Sequence, residues 1–210
     1  MSAKCKYMIS AIIVFMAGIF VSVDQTPAEQ TKIFLDRFST HPLQFSYRLT
    51  ILAADKTITE SGEVVVCEDS YCLTNGGFES RSDGESVWNV NEDSQEVIIQ
   101  PATDVDANPI LMIRSLEEHF KQVSTTYSAK GGGKVVMAAF AAEKGYMGIS
   151  DVVLYISDNK LVAADFKTKD GISLNVDIPS FTYLDELPSS SKFSYSKKNF
   201  DSSWVVTDLR

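Results

Sequence analysis

Nucleophilic catalysis needs a Ser or Cys held against a base, and two histidines are available as that base: His41, beside Pro42, and His119. No G-x-S-x-G elbow accompanies them, because Gly148-Ile149-Ser150 runs on into Asp151-Val152 without the closing Gly. Gly131-Gly132-Gly133-Lys134 lacks the leading Gly of a phosphate loop, and Val135 stands where that loop needs Ser or Thr. It reads as a hairpin loop. Glu117-Glu118 and the Asp104/Asp106 pair could ligate a metal, and they read equally as solubilising charge. Two His and three Cys are too few for a structural zinc cluster, so neither metal nor cofactor is expected. Cys67 and Cys72 are separated by Glu68-Asp69-Ser70-Tyr71, a stretch that suits a hairpin loop. Opposed across such a hairpin, their Cβ atoms would lie about 4.5–5.5 Å apart, and a disulfide is expected after slight closure.

The elements that would position these residues are mostly strands. Thr26-Pro27-Ala28-Glu29 reads as a capping box that opens a helix carrying Ile33, Phe34 and Phe38 and ending before Pro42. The apolar period then changes from 3.6 to 2. Phe45, Tyr47, Leu49 and Ile51 alternate along one face of a strand. Val64 and Val66 do so on the next strand, and Val152, Leu154 and Ile156 later in the chain. Further strands are expected at 62–66, 71–74, 78–81, 87–90, 96–100, 135–140, 161–166 and 172–178, with Asp83-Gly84 as a hairpin turn whose two positions take positive φ. Asn108-Pro109 opens a second helix, whose apolar positions Ile110, Leu111, Met112, Ile113, Leu116 and Phe120 exceed a single core stripe. The alternating faces fit a packed β-core or the lining of a ligand cavity, and periodicity does not separate the two.

The chain has 210 residues, and its 19 Lys+Arg against 28 Asp+Glu give a formal charge of −9. That balance excludes nucleic acid as a partner, because phosphate binding needs clustered positive charge. Lys4 and Lys6 precede an apolar run from Met8 to Val23, the pattern of a secretory signal over residues 1–23. A retained anchor is the alternative, although the run is shorter than the roughly 20 residues of a membrane span. Residues 24–210 then form one exported domain.

The order of these segments resembles the LolA family, periplasmic carriers of outer-membrane lipoproteins, and in particular its divergent Bacteroidetes-like members. The resemblance covers roughly residues 31–210. It rests on Tyr47-Arg48-Leu49-Thr50-Ile51 after the first helix, on Gly62-Glu63-Val64-Val65-Val66 leading to Tyr71, and on Ser82-Asp83-Gly84 with Trp88. Asn108-Pro109, Val153-Leu154-Tyr155-Ile156, Phe193-Ser194-Tyr195 and Val206-Thr207-Asp208-Leu209-Arg210 complete it. The resemblance implies a mainly β fold with helices: an incomplete, strongly curved antiparallel β-barrel closed by an α-helical lid over an apolar cavity. Phe45, Tyr47, Leu49, Ile51, Val64, Val66, Leu154 and Ile156 would line that cavity, and Leu111, Met112, Ile113 and Leu116 would face it from the lid. The implied function is a non-enzymatic, monomeric periplasmic carrier of lipoprotein acyl chains, loaded by an inner-membrane lipoprotein-releasing transporter and unloaded at an outer-membrane acceptor. Family members usually carry an Arg near Tyr71 that ties the lid to the barrel. Cys72 stands there, so that latch does not carry over. The alternatives are a carrier of another envelope lipid, or a secreted lipid esterase working through His119 or His41.

Overall fold

The computed structural model describes residues 25–54, 56–104, 109–196 and 199–210. The expected export signal, Asn108 and Asp106 lie outside the described residues. Helix α1 spans Pro27–Thr40, and its capping box forms as expected. The Thr26 hydroxyl accepts from the Glu29 N–H at 3.3 Å, and the Glu29 carboxylate accepts from the Thr26 N–H at 2.9 Å. Its buried face is Thr31, Phe34, Leu35 and Phe38, whereas Ile33 stays 38% exposed.

Twelve strands follow: β1 (Leu43–Leu52), β2 (Thr57–Cys67), β3 (Ser70–Asn75), β4 (Phe78–Ser82), β5 (Ser86–Asn91), β6 (Glu96–Pro101), β7 (Lys121–Lys130), β8 (Gly133–Tyr146), β9 (Ile149–Ser157), β10 (Lys160–Thr168), β11 (Ser173–Tyr183) and β12 (Val205–Asp208). They form one open, strongly curved sheet in the order β12-β6-β5-β4-β3-β2-β1-β11-β10-β9-β8-β7. Every neighbouring pair is antiparallel except β12 on β6. This is the expected incomplete barrel. Two hairpin meanders, β2–β6 and β7–β11, are joined where β1 pairs with β11, bringing Leu43 opposite Tyr183 and Phe45 opposite Phe181.

The hairpin chemistry agrees with the sequence in part. Gly131 and Gly132, at φ +62° and +82°, turn β7 into β8, so the glycine run serves as a hairpin turn. The Asp83-Gly84 turn differs from its expected form. Only Gly84 takes positive φ, and the Asp83 carboxylate accepts from the N–H groups of Glu85 and Ser86. That side-chain acceptance replaces the second left-handed residue with a longer, Asx-type loop.

The sheet has two covered faces. Its inner face carries the main core, where Phe45, Val64, Leu154 and Phe166 pack with α1 and with Met112, Ile113, Leu116 and Phe120. On the outer face, Trp88, Val90, Val97 and Ile99 are covered by Tyr195, Phe200 and Trp204 from the C-terminal segment. Val65 and Cys72 are covered there by Phe193. Among the described residues no helix is long and apolar enough to cross a membrane.

The expected disulfide is absent. Cys67 and Cys72 are both free thiols. The β2–β3 turn uses only Glu68 and Asp69, so Cys67 pairs with Ser70 and Cys72 pairs with Val65. The two sulfurs share the outer face as diagonal neighbours, and such diagonals lie about 7–8 Å apart, beyond the reach of a disulfide without backbone movement.

Candidate functional site

The segment that closes the inner face is a broken helix, not the continuous one the sequence suggests. Helix α2 (Pro109–Met112) tightens into a 3₁₀ turn, Ile113–Ser115, and resumes as α3 (Leu116–His119). A 3₁₀ turn places residues i and i+3 above one another. Ile113 and Leu116 both face the core beside Met112. Met112, Ile113 and Leu116 are each at most 2% exposed, and Leu111 is half-buried at the edge of the cluster.

The lid is fastened by a residue not singled out in the sequence. Arg114 donates to the C-terminal carbonyls of α1: Nη1 to Phe38 O at 2.9 Å and to His41 O at 3.5 Å, and Nη2 to Ser39 O at 2.5 Å. A cation at a helix C-terminus satisfies orphan carbonyls and meets the negative end of the dipole. Burial pulls the Arg114 guanidinium down from its ordinary value, and Asp69 and Cys67 push against that shift. An arginine in the middle of the apolar lid run was the available signal. Arg114 thus ties this segment to the C-terminal end of α1.

Of the expected cavity residues, Phe45, Tyr47, Val64, Val66, Leu154 and Ile156 are all at most 5% exposed and belong to the main core. Leu49 is half-buried against that core, and Ile51 is half-buried further along the strand. Tyr47 lies over Gly62, where a Cβ would stand 2.7 Å from its hydroxyl oxygen and 1.9 Å from the Thr74 carbonyl oxygen. In this conformation α1 and the lid therefore fill most of the inner face.

A cleft remains open beside them. It encloses about 440 Å³ between the lid and strands β2–β5, lined by Val66, Glu68, Asp69, Ser70, Tyr71, Ser82, Gly84, Val87, Ala102, Thr103, Leu111, Met112, Arg114 and Ser115. Three residues named from the sequence, Val66, Leu111 and Met112, meet there. Its other wall is more polar, because the inner face changes character across the sheet. Leu73 faces Ser80, which faces Asn89, and Tyr71 faces Ser82. Beside the cleft, the Tyr71 hydroxyl contacts the Ser80 hydroxyl at 3.4 Å, and the Ser80 hydroxyl donates to the Asn89 side-chain Oδ1 at 2.8 Å. Burial pushes the Tyr71 phenol up. Tyr71, Ser82 and Val87, which line the cleft, are brought together by strand pairing alone, which no local pattern announces. A second cleft of about 440 Å³ lies by the N-terminus of α1 and includes Ile156, but its other walls include Gln25, Gln30, Lys134 and Asp158. That makes it a poor shelter for an apolar ligand.

The residues considered for catalysis do not converge. His119 lies flat on Tyr146, with ring centroids 3.5 Å apart, and the His41 Nδ1 is 3.0 Å from the hydroxyl of its exposed neighbour Thr40. Glu117 and Glu118 are exposed. Among the described residues no cluster of His, Cys, Asp and Glu is arranged to hold a metal ion.

No family model matches the sequence, and no curated protein matches it. Solved structures do. An uncharacterized conserved protein from Thermus thermophilus superposes over 88% of this chain and 99% of its own, with a TM-score of 0.55 at 14% identity. A LolA superfamily protein from Nitrosomonas europaea matches 81% of this chain and 98% of its own, with a TM-score of 0.43 at 10% identity. A DUF1329 family protein from Desulfovibrio piger matches 84% of this chain and all of its own length, with a TM-score of 0.44 at 11% identity. Of these, the likeness to the Thermus thermophilus protein bears on this chain. At these identities it concerns the fold alone.

Proposed function

We propose that the protein is a non-enzymatic carrier that shelters acyl chains, those of lipoproteins in the first place, across the aqueous periplasm. The cleft beneath the lid is the observation that carries this reading. Exposed methylenes cost about 0.8 kcal/mol each, so a long acyl chain needs a shelter worth roughly 10 kcal/mol to leave a bilayer. A methylene is similar in size to a water molecule, whose share of liquid is roughly 30 Å³, so a cleft of about 440 Å³ accepts on the order of fifteen chain carbons. One chain fits the closed state. Further chains would enter by displacing the lid from the face of Phe45, Tyr47, Leu49, Ile51, Val64, Val66, Leu154 and Ile156. Met112, unbranched and polarizable, suits a surface that packs against core in one state and against lipid in the other. A short lid, held by Met112, Ile113, Leu116 and Phe120 in the core and by the polar contacts of Arg114, exchanges both sets of contacts for lipid when it opens.

On this reading residues 1–23 direct export and residues 24–210 are the carrier, a monomer in the periplasm. An inner-membrane lipoprotein-releasing transporter loads it, and an outer-membrane acceptor unloads it. The single-chain size of the closed cleft also favours a second cargo, another singly acylated envelope molecule. Native mass spectrometry of the protein isolated from its own envelope fraction separates the outcomes. A co-purifying lipoprotein supports the first reading and a small acylated lipid the second. A protein that is ligand-free as isolated, and that binds no fluorescent acyl probe, would return the inner face to ordinary core.

A further inference from the structure

We propose that the cleft under the lid selects its cargo by head group: it takes acyl chains with a neutral or cationic head and turns away chains that end in an anion. This rests on the carrier reading above. The apolar depth of the cleft, formed by Val66, Val87 and Met112, is blind to head-group charge. Its mouth is not. Glu68 and Asp69 make the exposed two-residue turn of the β2–β3 hairpin, with Glu68 at φ +52°, and both line the cleft. Neither belongs to an ion pair among the described residues.

The one cation on the described lining is Arg114, and its guanidinium is turned to the carbonyls of Phe38, Ser39 and His41. Those carbonyls end α1, which adds the equivalent of about half a negative charge near the same place. Asp69 and Arg114 offset one another in part, which leaves Glu68 uncompensated. A carboxylate or phosphate at the mouth would meet like charge and no cation turned toward it. An ester or amide head would instead find the hydroxyls of Ser70 and Ser115 on the same lining. The whole chain, at −9, reinforces the sign of this field.

The test titrates the lipid-free protein with monolauroylglycerol, dodecyltrimethylammonium and ionised laurate, each below its micelle-forming concentration and at low ionic strength. Laurate is expected to bind about tenfold or more weaker than the neutral ester, within the range of one like-charge contact between bulk-water and protein-surface screening. The ammonium should bind at least as well as the ester. The double variant Glu68→Gln/Asp69→Asn should close the gap between laurate and the ester. Leu111→Trp, which fills the cleft from a half-exposed lid position, should weaken all three. Equal binding of laurate and ester to the wild type, or a gap that survives the double variant, would overturn the selection while the carrier reading stands. Unchanged ester binding in Leu111→Trp would put the chain elsewhere and overturn the selection too. Binding of none of the three probes would overturn both.

Discussion

Replacing Arg114 with Met keeps the aliphatic stem under the lid and deletes the donors that hold it to α1. Two of the three contacts count fully, those to Phe38 O at 2.9 Å and Ser39 O at 2.5 Å, while the 3.5 Å contact to His41 O is at the limit of a hydrogen bond. A hydrogen bond to a charged group contributes about 1.5–3 kcal/mol net. Against two such bonds stand two gains in the variant. The half-buried guanidinium no longer has to be desolvated, and the freed carbonyls are only partly buried, so that water can replace the lost donors in part. The expected cost is therefore about 2 kcal/mol, a roughly 30-fold shift in the lid equilibrium at about 1.4 kcal/mol per factor of ten. The reporter is the Phe120 amide, which donates to Leu116 O at 2.9 Å within the lid. Its hydrogen exchange should quicken by about that factor, and Tm should fall by about 4–8 °C for a chain of this size. A lower Tm with wild-type exchange at Phe120 would mean that the bonds stabilise α1 alone, and the latch reasoning would be wrong.

In protein lacking residues 1–23, a thiol reagent should count two free cysteines. Cys67 should react first, and Cys72 only as the sheet opens, because burial and Glu79 push its thiol up to about 11; denatured protein with no reactive thiol would restore the disulfide. Burial raises the Glu79 carboxyl, but hydrogen bonds from Arg81, Tyr195 and Cys72 outweigh it and leave the group below its ordinary 4.5. Its stabilising contribution is thus complete above pH 4.5 and lost as pH falls through the lowered folded value, so Glu79→Gln should flatten the acid limb of the stability profile. Identical acid limbs for the two proteins would count against this. Gly62→Ala would set a Cβ 1.9 Å from the Thr74 carbonyl oxygen and 2.7 Å from the Tyr47 hydroxyl oxygen. The cost should reach the top of the overpacking range, about 3 kcal/mol or more, and an unchanged melting temperature would show that the approach is not that close.

Much of the barrel was legible because period-2 patterns survive wherever one face is buried: Phe45 and Tyr47 on β1, and Val152, Leu154 and Ile156 on β9, all end in the core. Strand β7 escaped because it lies at the edge of the sheet, its Val123 and Tyr127 exposed and separated by Ser124, Thr125 and Thr126. Strand β12 escaped for a related reason, since its four residues are all exposed and its partner β6 is remote in sequence. The cysteine pairing failed on a two-residue error in turn length, which moved Cys72 from opposite Cys67 to opposite Val65. At the candidate site, the apolar lid and floor could be named from pattern, but whether α1 lies against them is a tertiary fact. The polar wall is less legible still. Ser82 and Ser115 share a cleft because of how β4 and the lid are placed, and neither residue carries a local mark of that role.

The seam between β1 and β11 concentrates the entropy of the fold. Most other strand pairs are hairpins that close over short turns, whereas this one joins Leu43 to Tyr183 across nearly the whole described chain. Loop-closure entropy grows slowly with length, by about 0.6 kcal/mol per doubling, but it must be met before any long-range contact repays it. The repayment here is aromatic: Phe45 and Phe181 stack at 6.1 Å, and Phe38 of α1 stacks on the same Phe181 ring. The wall against which α1 rests is therefore also the clasp that joins the two halves of the open sheet. A guest that wedged α1 away from this wall would work against the chain's own closure. The lid packs chiefly on α1 and β8 and not on this seam, so displacing it leaves the pairing of β1 with β11 intact.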